Sequence, residues 1–558
     1  MALEWALGGN HAHQLKSNSF HRDVTQGIVF GTLLMRQIRG GTKSYWSRLP
    51  LLAHVFQFSS TFRSRQMFIP LSKRQHSRIL CCVTHAVALV AGAGLTLWMA
   101  SPKPLATPPS YPPPSIPTDI VRTPLLTATS EVPIEVFLQI LDEGRLTATR
   151  ALTNIENNWH PRDRVMLLEV LGLVNDPSIS EAIVDLLKRQ TGQLDVDNMD
   201  VWWRTIWNEK YEPHPQYAEF KARLYEMLDP RFRDYFSDSF KATIRLDEIR
   251  WGGVRRDGIP PLKNPATLPA AEATYLSDSD IVFGIEINGE SRAYPKRILA
   301  WHEMVKDVVG EESINGVYCT LCGSLIIYRT KTNAGVHHEL GTSGFLYRSN
   351  KLMYDHETES LWSTLDGEPV VGPLVGTGTQ LTPLSVVTTT WEKWRTDHPA
   401  TRVLSLETHY RRNYDEGVAY KHYFSNDDLM FSVPGTDKRL KNKDEVFVVR
   451  IAEPGQPPVA ISVAFLLNHP IHLERVGDQE IIVLTDSTGA NRAYQASSAR
   501  FVSLDEKRQV IDETGTPWQV TEAAILSPDG KEQLPRLPSH RAFWFGWYSA
   551  HPETRLVQ

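Results

Sequence analysis

Apolar residues change their spacing several times along this chain, and each change predicts a different kind of element. From Ile79 to Ala100 the run ILCCVTHAVALVAGAGLTLWMA holds 22 residues without Asp, Glu, Lys or Arg, long enough to cross a bilayer core of about 30 Å as one helix. The next stretch, Pro102 to Pro117, reads PKPLATPPSYPPPSIP, the composition of a stiff polyproline II spacer. Between Pro133 and about Phe240 apolar residues return at helical spacing, as in Ile134, Val136, Phe137, Ile140 and Leu141, and again in Val165, Leu167, Leu168, Val170 and Leu171. A third set is Ile183, Val184, Leu186 and Leu187, and Asp176-Pro177-Ser178 separates it from the second as a turn and N-cap would. The pattern predicts an all-α region of short antiparallel helices, one or two HEAT-like pairs.

Past residue 250 the period falls to two. IVFGIEINGESRAYP, from Ile281 to Pro295, alternates around Asn288-Gly289, a strong two-residue hairpin signal. VYCTL, SLIIYRT, FLYRSNKLMY, EVFVVRI and EIIVLTD are further strand candidates, punctuated by Gly, Asn, Asp and Pro. Laying the chain against itself predicts that this half is duplicated. Trp391, Trp394, His398-Pro399, Thr401 and Arg402 recur without a gap as Trp544, Trp547, His551-Pro552, Thr554 and Arg555. AYPKRILAWH, ending at His302, matches AISVAFLLNH, ending at His469, and Asp355, Thr358 and Trp362 meet Asp512, Thr514 and Trp518. Only the first copy carries cysteines, where Cys319 and Cys322 face Thr485 and Thr488. Residues kept in both copies serve the fold, and a feature confined to one is the better candidate for chemistry.

The predicted fold class is therefore α+β: an N-terminal membrane helix, an all-α domain, then a β-rich region made of two copies of one α+β module. The expected segments are a basic tail or mis-assigned start over 1–78, an anchor over 79–100, a Pro-rich linker over 101–132, a helical domain over 133–245, a first module with its linker over 250–444, and a cysteine-free copy over 445–558. Arg63, Arg65, Lys73, Arg74 and Arg78 precede the apolar run and only Lys103 follows it closely. The positive-inside bias thus puts the N-terminus in the cytoplasm and everything after residue 100 outside, as a single-pass membrane protein with an extracytoplasmic bulk, periplasmic or on the cell surface. A cleaved signal peptide, with synthesis starting at Met67, is the alternative.

Composition narrows the function classes. The chain has 558 residues, 41% hydrophobic and 22% charged, with a formal net charge of -5. These values exclude wholesale disorder and a multi-span membrane protein, and they leave no electrostatic footprint for nucleic acid. The expected partners are the membrane, through the one helix, and a protein recognised by the helical domain. Four cysteines, two of them Cys81 and Cys82 inside the apolar run, are too few for a disulfide scaffold.

Candidate chemistry centres on Cys319 and Cys322. A CxxC pair closes a small disulfide ring or bites one metal ion, and either thiol lowers the pKa of the other. His302, 17 residues upstream, is a candidate third ligand or acid/base group. His337, His338, His356 and Met353 are other donors in the same module, and with the thiols they would suit copper, iron or zinc. Gly341 to Ser363 is dense in small polar residues, so Ser343, Asp355 and Trp362 are read as pocket candidates, together with Arg412 in the segment between the copies. No GxSxG elbow, Walker loop, HExxH or GxGxxG after a strand occurs.

The motifs RAYPKRILAWHEMVKD, VYCTLCGS, SGFLYRSNKLMYDHETESLW and WEKWRTDHPATRVLS resemble, in this order, the family named domain of unknown function 3179. The resemblance covers about residues 250–500 and implies an exported or membrane-anchored protein. It carries no assigned reaction. Thr320 stands where the family's hallmark has proline, and Lys306 where it usually has Asn. Two functions are expected: a CxxC/His site for transition-metal binding or thiol redox chemistry, or a ligand- or protein-binding module whose CxxC is a structural disulfide.

Overall fold

The computed structural model describes residues 131–558 apart from 143, 193–197 and 452–456, all within one compact unit. The tail, the 79–100 anchor and nearly all of the Pro-rich linker expected from the sequence lie outside the described residues. Among the described residues no helix is long and apolar enough to cross a membrane.

The helical region opens the described chain with α1 (Ile134–Leu138), α2 (Arg145–Asn157), α3 (Asp163–Leu171), α4 (Pro177–Thr191), α5 (Met199–Trp207) and α6 (Tyr217–Glu226). Asp176 caps α4 as its sequence predicts, accepting from the Ser178 amide at 2.9 Å, with Pro177 in the first turn. A buried ion pair lies inside this bundle. Glu169 on α3 receives Lys221 at 2.6 Å, Tyr217 at 2.7 Å and Tyr225 at 2.6 Å, so both buried carboxylate oxygens have donors. The helices do not close a core of their own. Phe137, Leu168 and Phe220 belong to a cluster that continues into Phe345, Leu352, Tyr354 and Leu361 of a β-sheet, and the Phe345 ring meets Tyr225 at 5.0 Å and Phe232 at 4.8 Å.

That sheet begins before the first module does. The strands β1 (Lys241–Ala242) and β2 (Ile249–Trp251) form its two edges, and β3 (Leu262–Lys263) and β4 (Thr267–Pro269) extend two other sheets. The first module then runs β5 (Ile281–Ile287), β6 (Glu290–Pro295), α7 (Lys296–His302), β7 (Met304–Val309), β8 (Glu312–Cys319) and β9 (Ser324–Thr332). It continues with β10 (Leu340–Tyr347), β11 (Asn350–Asp355), β12 (Leu361–Ser363), β13 (Pro369–Gly372), β14 (Leu381–Leu384), β15 (Val387–Thr390), α8 (Trp391–Asp397) and β16 (Arg402–Leu404). The Asn288-Gly289 hairpin joins β5 to β6, with both turn residues at positive φ.

After a connecting segment that holds α9 (Lys421–Phe424), the same order of elements returns. It comprises β17 (Glu445–Val449), β18 (Val459–Ser462), α10 (Val463–Asn468), β19 (Ile471–Val476), β20 (Gln479–Thr485) and β21 (Asn491–Gln495). Then follow β22 (Phe501–Leu504), β23 (Gln509–Asp512), β24 (Pro517–Val520), β25 (Ala524–Leu526), β26 (Gln533–Pro535), β27 (Ser539–Phe543), α11 (Trp544–Ala550) and β28 (Arg555–Val557).

Strand order in the sheets repeats as well. One sheet reads β15-β5-β6-β16 before adding β4, and another reads β27-β17-β18-β28; in both the last pair is parallel. The meander β7-β8-β9 has its counterpart in β19-β20-β21. Matching tryptophans make matching bonds: Trp394 donates to Thr401 at 2.9 Å and Trp547 to Thr554 at 3.0 Å. Trp362 donates to Asp355 at 2.8 Å and Trp518 to Asp512 at 3.0 Å. The two halves share a core in which Met304, Val317, Ile326 and Trp362 pack with Val446, Val448, Ala542 and Trp544.

Candidate functional site

The CxxC segment is a turn between two strands. β8 ends at Cys319, the Cys322 amide donates back to the Cys319 carbonyl at 3.1 Å, and β9 starts at Ser324. Gly323 makes the turn at φ +62, and a Cβ there would meet the Phe543 ring at 2.8 Å. The Phe543 amide in turn donates to the Cys322 carbonyl at 2.7 Å, so the turn is clamped onto the end of β27. Cys319 and Cys322 are joined as a disulfide with Cα atoms 5.2 Å apart, and they are only 2% and 0% exposed. No helix begins here. The N-terminal dipole that stabilises an attacking thiolate in thioredoxin-type sites is missing from this turn.

One face of the disulfide borders a cavity of about 190 Å³. Its walls are mainly apolar, from Ile259, Leu321, Phe345 and Leu346, and the segment between the modules closes it with Tyr420, Met430 and Phe431. The polar side chains on the wall are Glu303, Thr320, Thr342 and Lys351, with the Tyr420 hydroxyl. Glu303 ends α7 in the left-handed region at φ +55, a conformation that disfavours any side chain larger than Gly and that surrounding bonds must hold in place. Those bonds are present: the Tyr318 amide donates to the Glu303 carbonyl at 2.9 Å. One carboxylate oxygen accepts from Thr320 and from Tyr420, both at 3.1 Å, and the other pairs with Lys351. Burial lowers the Lys351 pKa against the pull of Glu303, and burial followed by the Glu303 charge pushes the Tyr420 hydroxyl far up. The cavity therefore combines a mainly apolar wall with an ion pair and the hydroxyls of Thr320, Thr342 and Tyr420. A larger cleft of about 310 Å³ on the second half is lined by Lys393, Arg492, Arg508 and Asp486, charges that already pair among themselves or with neighbouring carboxylates.

His302 is fully buried at the end of α7. Its Nδ1 donates to the Pro260 carbonyl at 2.9 Å, which fixes the tautomer, and its Nε2 accepts from the Tyr414 hydroxyl at 2.6 Å. Burial pushes its pKa down to about 4. Both nitrogens are thus occupied and the ring is neutral. Copper, iron or zinc on His302, Cys319 and Cys322 would require the disulfide to open and one ring nitrogen to give up its partner.

Ser343 is buried, donates to the Leu352 carbonyl at 2.6 Å and accepts from the Phe345 amide at 3.1 Å, where β10 breaks register with β11. Asp355 and Trp362 close the β11–β12 hairpin with Thr358, whose amide reaches Asp355 at 2.6 Å. Arg412 lies over the Trp301 ring at 5.8 Å. None of these four lines the cavity. Reasoning from residue type missed Glu303, Thr320, Lys351 and Tyr420. The self-comparison held a signal for the first of them, because the position after His302 is Glu303 in one copy and that after His469 is Pro470 in the other.

The chain matches no curated protein and no solved structure. Residues 256–554, more than half of the sequence and the whole span from the approach to the cavity through the second set of strands, match the family described as Protein of unknown function (DUF3179), and the chain belongs to that family.

Proposed function

We propose that this protein is a binding module for a small, mostly apolar molecule with one polar group, held in the cavity beside Cys319, and that the disulfide is a structural part of its wall. One observation carries the reading. Groups that the first copy has and the second lacks, Glu303 for Pro470 and Cys319 for Thr485, meet at one cavity closed by the connecting segment, with Cys322 bonded behind Cys319. Convergence of a few polar groups in an apolar concavity is the common form of a ligand site. At about 190 Å³ the space suits a ligand smaller than a typical drug. The second set of strands acts, in this reading, as a cysteine-free copy of the module that buttresses the CxxC turn through Phe543.

The test is thermal unfolding with short-chain alcohols, carboxylates and amides as probes. At least one class is expected to raise the midpoint, and Leu321→Trp, which fills the cavity, is expected to abolish that rise. No shift with any probe, or an equal shift in the variant, would sink the proposal. The structural role of the disulfide gives a separate expectation. Cys322→Ser should cost about 2 kcal/mol, the loop-closure value for so short a ring, while leaving the probe response in place.

A second reading, thiol redox chemistry, is favoured by one contact. Cys322 Sγ lies 3.5 Å from the Ser349 carbonyl, an arrangement in which a thiol donates and a disulfide cannot, so the reduced form has an acceptor waiting. Titrating the couple against glutathione separates the two, since a structural disulfide resists reduction by that pool. We place the module outside the cytoplasm, anchored through residues 79–100, on the strength of the charge-free apolar run, its basic N-terminal flank and a disulfide suited to an oxidising compartment.

A further inference from the structure

We infer that His338, Asp355 and Glu357 form a binding site for a divalent transition cation such as Zn²⁺, at the end of the β10–β11 hairpin and independent of the cavity. Each residue presents one ligand atom, and the three atoms lie within 4.8 Å of one another. His338 Nδ1 is 3.8 Å from Asp355 Oδ1 and 3.6 Å from Glu357 Oε2. Two ligands each about 2.1 Å from a tetrahedral zinc sit about 3.4 Å apart, so the two His338 distances need contract by only a few tenths of an ångström, and the exposed Glu357 side chain is the one that swings in to bring its carboxylate from within 4.8 Å of the others.

Two further observations point to a ligand here. His338 is 5% exposed, and its Nδ1 is buried with no hydrogen-bond partner, an uncommon and costly state for an imidazole nitrogen. The two halves of the chain also treat the equivalent aspartates differently. In the second half Asp512 Oδ1 accepts from the amides of Thr514 and Thr516 and from the Thr514 hydroxyl. In the first half Asp355 Oδ1 accepts only from the Thr358 amide, because the Thr358 hydroxyl goes to Oδ2. Its spare lone pair lies on the side of His338. Glu357 is anchored in the same way, with Oε1 accepting from the Glu339 amide at 3.2 Å and Oε2 facing His338.

One imidazole and two carboxylates suit a borderline first-row cation better than Mg²⁺ or Ca²⁺, which take all-oxygen sets. Three protein ligands leave a fourth position open, and the partly exposed Glu357 puts that position at the surface.

The test is calorimetric titration of Zn²⁺ into the metal-free full-length chain, compared with His338→Gln and Glu357→Gln. One equivalent of Zn²⁺ that binds the native chain and binds each variant at least tenfold more weakly is the expected result. Glu357 is exposed enough for its variant to fold even if loss of the buried imidazole disturbs the hairpin. Zinc binding that neither substitution weakens, or none in the native chain, overturns the inference and leaves the cluster as a structural contact between His338 and two carboxylates.

Discussion

Glu303→Gln is expected to destabilise the protein by about 3–5 kcal/mol, the usual cost of removing one partner from a buried ion pair. Lys351 and Glu303 are both less than a tenth exposed, so water cannot take over the role of the lost carboxylate. Adding Lys351→Met should restore most of the loss, because an apolar side chain of similar length suits the cavity wall and leaves no charge behind. The sign of the pH dependence supplies an independent check. Burial already holds the Lys351 pKa below its usual value with Glu303 opposing, and in the variant nothing opposes. The unfolded chain then keeps the lysine proton up to a pH of about 10.4 while the folded chain has released it. Between the two pKa values the unfolded state binds more protons, and stability of the single variant rises by about 1.4 kcal/mol per pH unit. Urea unfolding from neutral to moderately alkaline pH measures this slope. A slope equal to that of the double variant would mean that the lysine keeps its charge in the folded state, and the account of the pair would fail.

This pair also marks where sequence reasoning stopped. Local signals were legible: the Asp176-Pro177 cap, the Asn288-Gly289 turn and the strand after Gly323 each depend on neighbours a few positions apart. The repeated order of elements was legible too, because duplicated tryptophans sit in a fixed register. Glu303 meets Lys351 across 48 positions and Tyr420 across 117, distances at which only strand order decides who is adjacent. The edge strands β1 and β2 have two and three residues, too few for alternation to register. The helical domain expected over 133–245 is a helical region whose core continues into the sheet through Phe345, a continuity no local pattern carries.

Residue type says which groups could act and leaves open how their atoms are spent. The imidazole of His302 is a candidate by type, but the chain spends both nitrogens on Pro260 and Tyr414. Asp355 and Trp362 were selected for local polarity, yet Asp512 and Trp518 make the same bond in the other half. That bond is the hairpin's, and what distinguishes Asp355 is the one oxygen its counterpart keeps fully engaged.

The second large effect is expected at the junction of the two halves, where Glu522→Gln should cost about 3–5 kcal/mol. Its carboxylate is buried and accepts from Arg492 at 2.9 Å, Arg508 at 2.9 Å and Arg536 at 2.7 Å, with His398 of the first half 3.4 Å away. Removing that charge sets three guanidinium groups against one another, with Asp486, 3.2 Å from Arg492, the more distant Asp397, and Glu286 beyond His398 as remaining counter-charges. Unlike Lys351, arginine cannot escape by losing its proton, so raising the pH should not rescue this variant. In the native protein burial opposes the Glu522 charge, but Arg492, His398 and the other arginines outweigh it and hold the carboxyl well below its usual range. A depressed carboxylate contributes stability that is present above its unfolded pKa and lost as the pH falls through the folded one. His398 behaves in the opposite sense: burial disfavours its charge, yet Glu286 and Glu522 together raise its pKa. Its contribution is complete below the unfolded value of about 6.5 and disappears as the pH rises through the folded one. Stability of the native chain should therefore decline on both sides of a mildly acidic optimum, whereas Glu522→Gln should lose the acid-side decline at this site and flatten the decline above pH about 6.5. Unfolding midpoints measured across that range decide it, and a variant curve parallel to the native one would show that the cluster does not couple His398 to Glu522.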